Sequence, residues 1–144
     1  MKDTLMKIAP RPATLACPCG KTQGKHAVRY DDCCARLIDA GELPVNAEQL
    51  MRSRYTAYVL KRFDYLRETW DPATCPVDLG DEPGPQWLGL EVRRHEALDA
   101  RHALVEFVAR YKIGGRAHRL QELSRFVLGD DGRWRYVDGQ VSNA

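Results

Sequence analysis

Four of this chain's five cysteines crowd into its first quarter. Cys17-Pro18-Cys19 is followed, after thirteen residues that begin with Gly20, by Cys33-Cys34. Thiolates are good zinc ligands. Two close pairs can supply the four donors of a tetrahedral site, with Zn–S bonds of about 2.3 Å. Neither pair has the two-residue gap of a common zinc finger. Gly20 suits a tight turn around a metal, and His26 lies between the pairs as a spare donor. Free thiols and disulfides are the competing readings. An odd number of cysteines suits four ligands plus a bystander better than a disulfide framework. The bystander is Cys75, alone in a proline-rich loop and not read as a nucleophile.

A second group of residues could do proton chemistry. His118, Glu122 and Ser124 share one face of an alternating segment with Leu120, Phe126 and Leu128. Asp138 follows Trp134 and Tyr136 at the same spacing. If both faces point inward, Glu122 and Asp138 become carboxylates with raised pKa, suited to proton abstraction. The competing reading pairs them with Arg54 or Arg110, because buried charges are normally partnered. These six residues are the candidate pocket. No residue is assigned as catalytic, since the chain has neither a nucleophile elbow nor a glycine-rich phosphate loop.

The elements that must position these groups follow from periodicity. Residues 1–16 read as a loose tail, 17–34 as a metal knuckle and 35–45 as a linker. Asn46 with Gln49 three residues on forms a capping-box pattern. Leu50, Met51, Tyr55, Tyr58 and Val59 then give a helical stripe. Arg62 would fall inside that stripe, so the helix is expected to break near Lys61–Arg62. A second helix starts near Asp64, carries Tyr65, Leu66 and Trp70, and stops at Asp71-Pro72.

After a loop over 72–85 the period changes to two. Leu88, Leu90 and Val92 alternate with Gly89, Glu91 and Arg93, and Ala103, Val105, Phe107, Ala109 and Tyr111 with Leu104, Glu106, Val108 and Arg110. Gly114-Gly115 and Asp130-Asp131-Gly132 read as hairpin turns. Two helices followed by hairpin-linked strands predict an α+β domain over 46–141 with a curved antiparallel sheet. Trp70, Trp87, Phe107, Phe126 and Trp134 are expected in its core.

Bulk properties narrow the function classes. A net charge of +2 and a 44% hydrophobic, 29% charged composition describe a soluble globular chain. Such a charge gives no bulk argument for nucleic acid. Arg52, Arg54, Lys61 and Arg62 make one helix side basic. Arginines scattered through the sheet, with aromatics between them, leave direct nucleic-acid binding open. A solvated sheet face balanced by 20 acidic residues is the plainer reading. No apolar run reaches the roughly 18 residues of a membrane span, and the start lacks a signal-peptide core. A cytoplasmic location, where thiols stay reduced, is therefore expected.

Cys17-Pro18-Cys19-Gly20 with Tyr30-Asp31-Asp32-Cys33-Cys34 resembles the SEC-C motif, the zinc-binding tail of the SecA translocation ATPase. The interval between the pairs is longer than usual, with the extra residues around Lys21–Val28. Leu50-Met51-Arg52-Ser53-Arg54-Tyr55-Thr56-Ala57-Tyr58 resembles the helix motif of the bacterial YchJ-like family. Trp87-Leu88-Gly89-Leu90, Phe107-Val108-Ala109-Arg110, Glu122-Leu123-Ser124-Arg125-Phe126 and Trp134-Arg135-Tyr136-Val137-Asp138-Gly139 extend the match.

The resemblance implies a nuclear transport factor 2-like body, with helices packed in the concavity of the sheet. Many members carry a second SEC-C copy at the far end. This sequence contains none there, so a two-knuckle mode of action is not expected. In SecA the motif contacts partner proteins or ribosomes. A zinc-binding adaptor for a protein or ribonucleoprotein partner is thus the expected function. The alternative is a small isomerase or lyase, or a small-ligand binder, using the sheet cavity. Loss of zinc is expected to melt the first 34 or so residues and leave the body folded.

Overall fold

The computed structural model describes residues 15–81 and 83–142. Most of the expected tail therefore lies outside the described residues. Its last two residues are tied down: the Leu15 carbonyl accepts the Tyr30 N–H at 2.9 Å, and Ala16 bridges Arg29 antiparallel.

The knuckle is a small hairpin followed by a helix. β1 (Thr22–Gln23) pairs antiparallel with β2 (His26–Ala27). The hairpin closes on itself, with the Cys17 N–H donating to the Val28 carbonyl at 2.8 Å and the Val28 N–H to the Lys21 carbonyl at 3.0 Å. The longer interval between the cysteine pairs is thus spent on strands that return the chain to its start. A 3₁₀ turn (Tyr30–Asp32) leads into α1 (Cys34–Ile38). The segment expected as a linker from residue 35 therefore begins with a helix. Its signal is short: Leu37 and Ile38 are buried, but five residues show too little period to read.

α2 (Ala47–Val59) starts as its capping pattern predicts. The Asn46 side chain accepts the Gln49 N–H at 2.8 Å, while Gln49 Oε1 accepts the Val45 N–H at 2.8 Å. The helix breaks before α3 (Phe63–Glu68). At the break the Arg62 N–H reaches the Ala57 carbonyl at 2.8 Å and the Lys61 N–H reaches Tyr58 at 3.2 Å. This is the Schellman pattern, whose left-handed position is usually glycine. Here Lys61 occupies it, at φ 59°.

The sheet is a four-stranded antiparallel meander in the order β3 (Gln86–Ala97), β4 (His102–Ile113), β5 (Arg116–Leu128), β6 (Trp134–Ser142). α2 lays Leu50, Met51 and Tyr55 on its inner face, against Val105, Phe107, Ala109 and Phe126. Bulges change the phase of two strands. One lies between Trp87 and Gly89. It turns Leu88 out to solvent, while Trp87 joins Leu90 and Val92 against the core. β3 has a second between Val92 and Arg94, and β6 has one at Val137, opposite Arg125 and Phe126, so that Phe126 faces Tyr136 and Arg125 faces Asp138. Bulges insert one residue and bend the strand. Phe107 and Phe126 are buried as expected, but Trp70, Trp87 and Trp134 are only partly so. They rim the core rather than fill it, as bulky indoles often do. Among the described residues, no helix is long and apolar enough to cross a membrane.

Candidate metal centre

The hairpin, the 3₁₀ turn and the start of α1 bring Cys17, Cys19, Cys33 and Cys34 together. Their four Sγ atoms all lie within 4.8 Å of one another. Cys19 and Cys33 are 3.7 Å apart, sulfur to sulfur, and all four thiols are free. Three of them are buried and Cys33 is half-buried. Pro18 and Gly20 allow the turn, in which the Gly20 N–H reaches back to the Cys17 carbonyl at 3.1 Å. Gly20 sits at φ 78°, and a Cβ there would stand 3.3 Å from the Leu90 carbonyl. The turn is thus pressed against β3, where only glycine is unstrained. His26 lies exposed on the hairpin and outside the cluster.

Crowded sulfurs cannot all ionise without a cation. Cys17 is pulled well below the usual thiol range, first by hydrogen bonding from Cys19 and then from Cys33 and Cys34. Cys33 and Cys34 are pushed up, first by Cys17 and then by Cys19. A cation would offset that repulsion. A compact set of four sulfurs fits a metal that favours thiolate, so the donor set is compatible with metal binding.

Two side chains of α2 hold the cluster to the body. Thr56 donates its hydroxyl to Cys34 Sγ at 3.3 Å and stands 3.7 Å from Cys17 Sγ. Arg52 donates to the Cys19 carbonyl at 2.9 Å and is steadied by Glu48 at 3.2 Å. They sit four apart, on one face of the helix. The sequence reading named Arg52 only as a basic surface residue and missed Thr56. Their i, i+4 spacing was the available signal. The cysteines also share one hydrophobic cluster with Ala57, Tyr65 and Leu66.

The pocket candidates separate. Glu122 faces inward, with Ser124 donating to its Oε2 at 2.6 Å and Tyr136 at 2.9 Å. Neither expected arginine pairs with it. Arg54 is 2% exposed, and it donates to the Leu66 carbonyl at 3.0 Å and to Thr69 Oγ1 at 2.8 Å. Arg110 is exposed, on the opposite sheet face from Phe107 and its cross-strand partner Glu122. His118 is exposed too, stacked on Tyr111 with ring centroids 5.3 Å apart. The β6 bulge at Val137 aligns Asp138 with Arg125, which binds it through two 2.7 Å bonds. An inward Glu122–Asp138 pair therefore does not form.

The middle domain of the YchJ family, which is nuclear transport factor 2-like, matches residues 46–139. A UPF0225 protein of Ralstonia nicotianae is 52% identical over 96% of this chain and all of its own length. One from Cupriavidus metallidurans is 55% identical, covering 87% of this chain and 88% of the relative. A solution structure of a SEC-C motif containing protein from Rhodopseudomonas palustris superposes with a TM-score of 0.74 at 34% identity, covering 88% of this chain and 98% of that one. A crystal structure of a SEC-C motif containing protein from Psychrobacter arcticus gives 0.70 at 30%, covering 92% and 86%. A SEC-C-like cysteine cluster ahead of a nuclear transport factor 2-like α+β body places this chain in the YchJ-like, UPF0225 family.

Proposed function

We propose that the protein is a zinc-binding adaptor whose knuckle contacts an acidic protein or ribonucleoprotein partner. Tetrahedral Zn–S bonds of about 2.3 Å put sulfurs about 3.8 Å apart. The 3.7 Å between Cys19 and Cys33 supports that metal. Zinc held by Cys17, Cys19, Cys33 and Cys34 would fix the start of the hairpin to the start of α1.

The observation that carries the partner reading is the hairpin itself. Residues 20–27 are exposed, while the cysteines beneath are mostly buried. Lys21 and Lys25 stand there with no acidic residue between positions 20 and 30. Among the described residues neither lysine has an ion-pair partner, whereas Arg29 is paired with Asp32 at 3.1 Å. A rigid basic loop steers toward acidic or phosphate-bearing surfaces, and salt weakens that attraction. Of the sheet arginines, Arg94 is near Glu106 at 3.5 Å, Arg125 on Asp138 and Arg135 on Asp131, while exposed Arg110, Arg116 and Arg119 have no ion-pair partner among the described residues.

The test compares wild type with the Lys21→Glu, Lys25→Glu double variant in cosedimentation with ribosomes and in cross-linked pull-downs. Wild type should be retained in a salt-sensitive way, and the variant should lose that retention while keeping its metal. Equal retention of both would reject the reading.

A further inference from the structure

Between α2 and the inner sheet face lies a cavity of about 200 Å³. Its walls include Tyr55, Tyr58, Trp87, Phe107 and Leu120. Its polar groups are unusual. Arg54 lines it and is almost wholly buried, yet among the described residues it has no carboxylate within ion-pair reach. Nη1 makes both of its close hydrogen bonds in the described chain, and the Tyr58 hydroxyl stands beside the same guanidinium. Its guanidinium lies 4.7 Å over the rings of both Trp70 and Tyr136. Those ring faces attract the cation but do not occupy the donors on its edge. Trp70 Nε1, in the same wall, is a buried donor without an acceptor among the described residues. Buried polar groups normally find partners, and a buried cation normally finds an anion. Burial also lowers the Arg54 pKa, which a bound anion would reverse.

We propose that this cavity binds a small aromatic carboxylate, received end-on by the edge of Arg54. The aromatic body follows from the walls and the size: apolar cavities of about 150 Å³ accept benzene. Arg54 and Glu122 both line the cavity without an ion-pair partner among the described residues; an anion is favoured over an organic cation because Arg54 is the more deeply buried of the two and Glu122 already has its hydroxyl donors. Glu122 already accepts two hydroxyl donors through Oε2, and its Oε1 has no partner in the described chain. Tyr136 separates the two charges, with Arg54 over its ring and Glu122 at its hydroxyl. This inference is independent of the knuckle and its metal.

Full-length protein is titrated with benzoate, 4-hydroxybenzoate, benzamide and inorganic phosphate, following fluorescence of the cavity tryptophans and amide shifts. Both acids should bind saturably. Benzamide should be weaker by about tenfold or more, since hydrogen bonds between ions exceed neutral ones by that order. Phosphate should not compete. Ala109→Leu, which fills the cavity from a sheet position, should abolish binding while the protein stays folded. Arg54→Met should remove the preference for acid over amide if it folds. The wild-type comparison decides the matter even if it does not. No saturable binding of either acid, equal binding of benzamide, or competition by phosphate overturns the proposal. So does a folded Ala109→Leu that keeps wild-type affinity.

Discussion

Arg52 and Arg54 stand two residues apart on α2 and do opposite work. Arg52 reaches outward to the Cys19 carbonyl; Arg54 turns inward beneath Trp70 and Tyr136. Neither role is written in the residue type. Glu122 is a similar case. It was expected to meet an arginine and instead accepts Ser124 and Tyr136. Gly139 completes that site, because a Cβ there would overlap the Glu122 carboxyl group. Glu122→Ala should leave buried Ser124 without its acceptor and cost about 1–3 kcal/mol. Gly139→Ala should also lower the melting midpoint, by forcing Glu122 off its two hydroxyl donors. In the Glu122→Ala background most of that second loss should vanish, since contacting residues are not additive. Thermal melts of both single variants and the double variant check this. Simple additivity would show that the two residues do not interact.

The elements were legible where a local pattern repeats. The cysteine spacing, the Asn46 cap, the break before Arg62 and the alternation along β4 all come from neighbours in sequence. What escaped depends on one inserted residue. The bulge at Val137 moves Asp138 to the outer face, and the bulge at Trp87/Gly89 exposes Leu88. Strand periodicity has a period of two, so a single extra residue flips every side chain beyond it. The break itself yields a prediction. Lys61 holds a left-handed conformation that costs a residue with a Cβ about 1–2 kcal/mol. Lys61→Gly relieves that cost, though glycine gives back part of it as unfolded-state entropy. Stability should rise by roughly 0.5–1 kcal/mol. Chemical denaturation measures it. A lower midpoint at unchanged slope would show that the break is not strained.

At the scale of the molecule, the knuckle and the body share a core. The expectation that the knuckle melts alone treats it as an appendage, but Cys17, Cys19 and Cys34 pack with Ala57, Tyr65 and Leu66 of the helices. Removing the metal should therefore lower the midpoint of the whole chain. The fold should also be sensitive to alkali. Burial is the first cause that raises the hydroxyl pKa of Tyr30, Tyr55, Tyr58, Tyr65 and Tyr136, with Tyr55 pushed up to about 12. An unfolded tyrosine ionises near pH 10. Between that value and its folded pKa, the unfolded chain binds fewer protons than the folded one, so stability falls as pH rises. Denaturation midpoints should hold up to about pH 10 and drop above it, with a shallower drop in Tyr55→Phe. A flat profile through that range would contradict these buried hydroxyls.

The central claim is that four cysteines, brought within 4.8 Å of one another by a closed hairpin and a helix start, hold zinc. Structural zinc contributes on the order of 10–16 kcal/mol to the folding of small zinc peptides, enough to decide whether the knuckle forms. The most direct test is the zinc content of full-length protein purified without chelator, measured beside a thiol count. The account predicts one zinc per chain in the wild type, with all five cysteines reduced, and a loss of most of it in Cys19→Ser. Well under one zinc per chain in fully reduced wild-type protein, or full zinc in the variant, would contradict it.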